Sequence, residues 1–130
     1  MTPEGLIEVA SRHDPAETMA RLKAAVIAHG MSVMAMIDHT VGAREAGLTL
    51  RPTAVLIFGN ARAGTPLMEL SDTIGLDLPL RVLVREKEDG KTWFIYADPA
   101  ATAARHGITG APALAAMARA LAAVTAEAGN

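Results

Sequence analysis

The stretch LRVLVREKEDGKTWFIYA, running from Leu80 to Ala97, decides the fold. Two runs of strand-forming residues flank Asp89-Gly90, a pair favoured in tight hairpin turns. A two-residue turn sets Glu88 opposite Lys91 and Val84 opposite Ile95. One face of the hairpin then carries Val82, Val84, Trp93, Ile95 and Ala97, and is expected to pack on helices. The other carries Arg81, Leu83, Arg85, Phe94 and Tyr96, a mixture that suits neither a clean core nor open solvent.

Working outward, Leu6 to Ser11 reads as a short strand. Asp14-Pro15-Ala16-Glu17 has a capping carboxylate, a proline at the first helical position and a glutamate placed to complete a capping box. Met19, Leu22 and Val26 then recur at helical spacing, and Gly30 follows the last turn. Met31 to Asp38 is nearly continuous in apolar character and predicts a central strand. A short helix is expected from Val41 to Ala46, then a buried strand from Thr53 to Phe58 that ends at Gly59-Asn60. Thr65-Pro66 predicts a cap and first turn for a helix over Leu67 to Leu70. Beyond the hairpin, Asp98-Pro99 opens a short helix ending at His106-Gly107. Pro112 opens the last one, with Leu114, Met117, Leu121 and Val124 as its stripe. The order predicts an α+β fold, a largely antiparallel sheet of about five strands with helices on one face. Residues 1–130 read as a single domain with a loose end over about 126–130.

Composition narrows the function. The chain has 130 residues, 51% of them apolar, and a net charge of −2 with neither sign clustered, which disfavours nucleic acid as a partner. It has no cysteine, which excludes disulfides, iron–sulfur clusters and thiol chemistry. No apolar run approaches the roughly 20 residues of a membrane span, and no secretory leader is evident, so a cytoplasmic location without membrane attachment is expected. Only four residues are Phe, Trp or Tyr, so the core is expected to rest on aliphatic and Met side chains. Met31, Met34, Met36 and Met68 are accordingly assigned to that core.

Ile37-Asp38-His39, Gly47-Leu48 with Arg51-Pro52-Thr53, Phe58-Gly59-Asn60, Gly64 to Met68 and Leu76 to Leu80 resemble, as an ordered set, the bacterial and archaeal family called Domain of Unknown Function 302 (DUF302). The likeness runs from about Val9 to His106. It implies a fold like half of the TATA-binding protein, β-α-β4-α with extra short helices, and a dimer-forming protein. It carries no catalytic residues. Family members often have Pro after the Phe-Gly-Asn segment, where this chain has Ala61.

Candidate chemistry gathers at strand ends. Asp38-His39 closes one strand, and a carboxylate beside an imidazole can orient a base, although neighbours on a strand point to opposite faces. The structural alternative is that Asp38 caps the following helix. Asn60 ends the next strand and lies near His39 if the two ends meet. Thr65 adds a hydroxyl at an expected helix start, and Asp77 is a second possible helper. No metal site is expected from His13, His29, His39 and His106, whose spacings match no ligand pattern, and no cofactor is implied. Two classes of function remain. One is a homodimeric binding module for a small polar or anionic ligand, with Asp38, His39, Asn60, Thr65 and Asp77 as candidates. The other is a hydrolase or isomerase using His39 as general base. Binding is preferred because no catalytic signature is present. The dimer contact is expected on the face of Arg81, Leu83, Arg85, Phe94 and Tyr96.

Overall fold

A computed structural model describes residues 2–130. Its strands are β1 (Leu6–Ser11), β2 (Ser32–Asp38), β3 (Thr53–Gly59), β4 (Leu80–Glu86) and β5 (Thr92–Ala97). Its helices are α1 (Pro15–Ala28), α2 (His39–Glu45), α3 (Ala61–Leu70), α4 (Pro99–Arg105) and α5 (Pro112–Gly129), with a 3-10 turn at Ile74–Asp77. The sheet is antiparallel throughout, in the order β1-β5-β4-β3-β2. Helices α1 and α5 cover one face, so the expected α+β architecture is the one observed.

Local chemistry sets the helix starts. Asp14 Oδ1 accepts from the Glu17 N–H at 2.8 Å, and Pro15 occupies the first turn of α1. Met19, Leu22 and Val26 of α1 meet Leu121 and Val124 of α5 above Leu56, Phe58, Val82 and Val84.

The hairpin corrects the expected register. Gly90 N donates to Lys87 O and Lys87 N to Lys91 O, both at 2.9 Å, and Gly90 has φ +80°. This is a three-residue loop, a type I turn followed by a glycine in the left-handed region, one residue longer than expected. Val84 therefore faces Phe94, and Arg85 faces Trp93. A slip of one residue turns every side chain of β5 to the other face. Phe94 (0% exposed) and Tyr96 lie in the core, while Trp93 and Ile95 join Arg81, Leu83 and Arg85 on the uncovered face. Phe94 and Tyr96 are thus not interface residues.

Two further expectations change. Strand β2 lies at the edge of the sheet, not its centre, and Met34, Met36 and Met68 are exposed instead of filling the core. Helix α3 starts at Ala61 with Asn60 as its cap, which leaves Thr65 and Pro66 inside the helix and Thr65 in solvent. At the end of the described residues α5 runs to Gly129, and Arg21 donates to the carbonyls of Glu127, Ala128 and Asn130.

Candidate functional site

The pairing of β2 with β3 sets Ser32 opposite Gly59, so the start of β2 adjoins the start of α3. The register of β2 shifts between Val33 and Ala35, leaving Met34 without a partner in the ladder. A bulge of this kind re-aims a side chain, and Met34 faces a cleft between the sheet edge, α3 and α5. Across from it, Ala113, Ala116 and Ala120 occupy one face of α5 at spacings of three and four. Their small side chains leave open space where larger ones would close the packing. Met68 lies between two glycines, its Sδ 3.3 Å from where a Gly75 Cβ would sit and its Cε 3.6 Å from one at Gly64.

The result is a cleft of about 600 Å³, within the usual size of small-molecule sites. Met31, Met34, Met68 and Met117 line it together with Leu78 and Leu80, so its wall is apolar and adaptable. Polar groups sit at the rim. Asn60 Oδ1 accepts from Ala63 N at 2.8 Å, which caps α3, and Arg62 has no ion-pair partner among the described residues. His29 Nε2 contacts Glu127 Oε1 at 2.9 Å.

The expected meeting of His39 with Asn60 does not occur. Both residues follow the C-terminal end of a strand, and antiparallel partners point their C-terminal ends in opposite directions. The length of the strand, on the order of 20 Å, separates them. Asp38 Oδ1 accepts from the N–H groups of Thr40 and Val41 at 3.0 and 3.1 Å, so it caps α2 and does not orient His39. His39 itself is exposed. Asp38 borders a separate cleft of about 560 Å³ with Lys23, Thr40 and Arg44, from which His39 is absent.

Asp77 does pair with a histidine, but with His106. Asp77 Oδ2 lies 2.6 Å from His106 Nε2 and 3.3 Å from Arg105 Nη2, while His106 Nδ1 lies 2.8 Å from the Thr73 hydroxyl. The hydrogen bond from His106, aided by the charge of Arg105, holds the Asp77 carboxyl below its ordinary range against the opposing effect of burial. This chain of contacts ties the 3-10 turn to the end of α4. Arg81, Leu83 and Arg85 lie on the open sheet face as expected. There Glu8 bonds both Arg85 and Lys87, and Lys87 Nζ stands 4.2 Å from the centre of the Trp93 ring. Among the described residues no group of three or more His, Asp or Glu converges as a metal site.

Sequence reasoning missed Arg62, His106 and the methionine cleft. Met31, Met34 and Met36 in one strand were the available signal, and it pointed to core because β2 read as central.

The family model described as "Domain of unknown function DUF302" matches residues 7–124. The proteins named "Fluoride-specific ion channel FluC 1" of Brucella suis biovar 1 and "Fluoride-specific ion channel FluC 2" of Brucella melitensis biotype 1 are each 50% identical over 104 residues, 80% of this chain. That match takes in 41% and 38% of their lengths, so the chain spans about two fifths of these relatives. No helix among the described residues is long and apolar enough to cross a membrane. The crystal structure of an uncharacterised conserved DUF302 protein from Bacillus stearothermophilus superposes with a TM-score of 0.85 at 21% identity, covering 97% of this chain and 99% of that one.

Proposed function

This chain belongs to the DUF302 family, and from that premise we propose that it is a binding protein whose methionine cleft takes a small, flexible, mainly apolar molecule with an acidic end. The observation that carries this reading is the cleft of about 600 Å³ walled by four methionines, with Arg62 and the first turn of α3 at its rim. Thioether walls adapt to a ligand's shape, and the unpaired guanidinium together with the helix start favours an anionic group. Of the polar site first expected at His39 and Asn60, the Asn60 half is kept. The general-base alternative loses its support, because neither Asp38 nor Asp77 orients His39. The test is titration calorimetry with octanoate and octanol. Octanoate should bind several-fold more tightly than octanol, and Arg62→Gln should abolish the difference. Equal affinity of the two in the unmodified protein would count against the reading.

We also propose a homodimer formed through the open sheet face. Cross-strand pairing aligns Ile37, Val55, Leu83 and Ile95 in one apolar row over four strands. A two-fold contact would cover this row and Trp93. Leu83→Glu should turn a dimer into a monomer in sedimentation at micromolar concentration, and a monomeric wild type would exclude the contact.

A second reading draws on the relatives named as fluoride-specific ion channels. The shared segment would be an accessory module whose ligand reports to a channel carried by the rest of those proteins. Fluoride itself, small and strongly hydrated, does not suit a thioether-lined cleft. The fluorine-19 resonance of added fluoride should stay unbroadened by this chain, and saturable broadening would overturn that assignment.

A further inference from the structure

Beside the methionine cleft lies a smaller pocket of about 260 Å³. Leu78, Leu80 and Met117 line both spaces and form the wall between them. Building on the cleft reading above, we propose that the two are halves of one passage and that the ligand is an unbranched chain with a carboxylate at each end. One carboxylate meets Arg62, and the other meets Arg81 and Arg105.

The wall can open. Met117 is unbranched, and its rotatable bonds let the thioether move aside without displacing the α5 backbone. Beyond it, Leu67, Ile74, Leu114 and Leu121 continue the alkyl lining into the smaller pocket.

The far mouth carries surplus positive charge. Arg81 makes only a long contact, 3.4 Å, to the Leu76 carbonyl. Arg105 reaches Asp77 at 3.3 Å, but that same carboxylate oxygen is held by His106 at 2.6 Å. One carboxylate thus answers two arginines and an imidazole. A monoacid seated at Arg62 would end its methyl terminus among these guanidinium groups, whereas a diacid satisfies both mouths.

The experiment is calorimetry with unbranched α,ω-dicarboxylates of about six to sixteen carbons, beside monocarboxylates of equal length. Each added methylene should tighten binding about threefold to fourfold until both mouths are spanned. Diacids of that length should exceed the matching monoacids at least tenfold, and Arg81→Gln/Arg105→Gln should erase that advantage while leaving octanoate binding intact. Met117→Ile stiffens the wall and should halt the gain at shorter chains. Leu78→Phe, at a half-buried position, checks the same point independently, and both variants are first confirmed to melt cooperatively. Diacids no better than monoacids, or a chain-length profile unchanged in both wall variants, would overturn the passage. Absence of octanoate binding would instead remove the cleft reading on which it rests.

Discussion

The packing of α1 and the C-terminal part of α5 on the sheet is closed, whereas that between α3, the 3-10 turn and the N-terminal part of α5 opens into a cleft. In the first, Leu22, Val26, Leu56, Phe58, Val82 and Phe94 are all 0% exposed. In the second, Leu67, Ile74, Leu114 and Met117 are joined by short elements and by alanines on α5 that fill little volume. The long helices have enough apolar surface to seal the sheet, and the short ones do not. Open space lies where packing is incomplete, and the closed core lies elsewhere.

The contrast can be broken by substitution. Phe94→Ala should cost about 3–5 kcal/mol, because ring contacts are lost and the surrounding core collapses only in part; chemical denaturation measures it. A cost under about 1 kcal/mol would mean that the closed core is not closed.

Two glycines sharpen the comparison. A Cβ on Gly129 would lie 2.8 Å from the Ala10 carbonyl oxygen and 3.1 Å from the Phe94 ring, neither of which can yield. Gly129→Ala should cost about 1–3 kcal/mol as overpacking. At Gly75 the nearest atom is the flexible Met68 sulfur at 3.3 Å, so Gly75→Ala should be tolerated within about 1 kcal/mol. Matching thermal melts of the two variants would remove the distinction between the regions.

Met34→Ala should change stability by no more than about 0.5 kcal/mol, since Met34 is 53% exposed, yet weaken octanoate binding severalfold. A stability loss as large as that at Phe94 would return Met34 to the core.

The smallest effect concerns acid. The hydrogen bond from Lys87, with further help from Arg85, holds the Glu8 carboxyl below its ordinary value. A lowered folded pKa contributes stability above the unfolded value of about 4 and loses it as pH falls through the folded value. Glu8→Gln should therefore flatten the acid limb of the melting curve and lower stability near neutral pH by a small amount. An unchanged acid limb would show that the Glu8 cluster is uncoupled from folding.

Much of the architecture was legible without coordinates. Asp14-Pro15 opened a helix, Asp98-Pro99 another, and the hairpin turned at Asp89-Gly90. Such motifs act within a few residues, so local chemistry is enough to read them. The candidate site was legible only in pieces, because Asn60 and Asp77 were named without their true neighbours. Asn60 was set beside His39 on the assumption that two strand ends meet, and antiparallel pairing reverses that. His106 reads from the sequence only as the end of a short helix, and nothing within a few residues announces that Asp77 and Thr73 bracket it.

The sequence by itself determined the elements, their order and the antiparallel hairpin, because capping groups, turn residues and apolar periodicity are all short-range. Tertiary structure decided which face of β5 is buried. Trp93, Phe94, Ile95 and Tyr96 are apolar or aromatic in succession, so either face suits a core and alternation offers no preference. One extra residue in the loop, with Gly90 at φ +80°, set the parity. It put Phe94 and Tyr96 under the helices and left Trp93 outside. Tertiary structure also made β2 an edge strand, because an apolar run records the character of its side chains and not which strands flank it, and Met34, Met36 and Ile37 are left exposed.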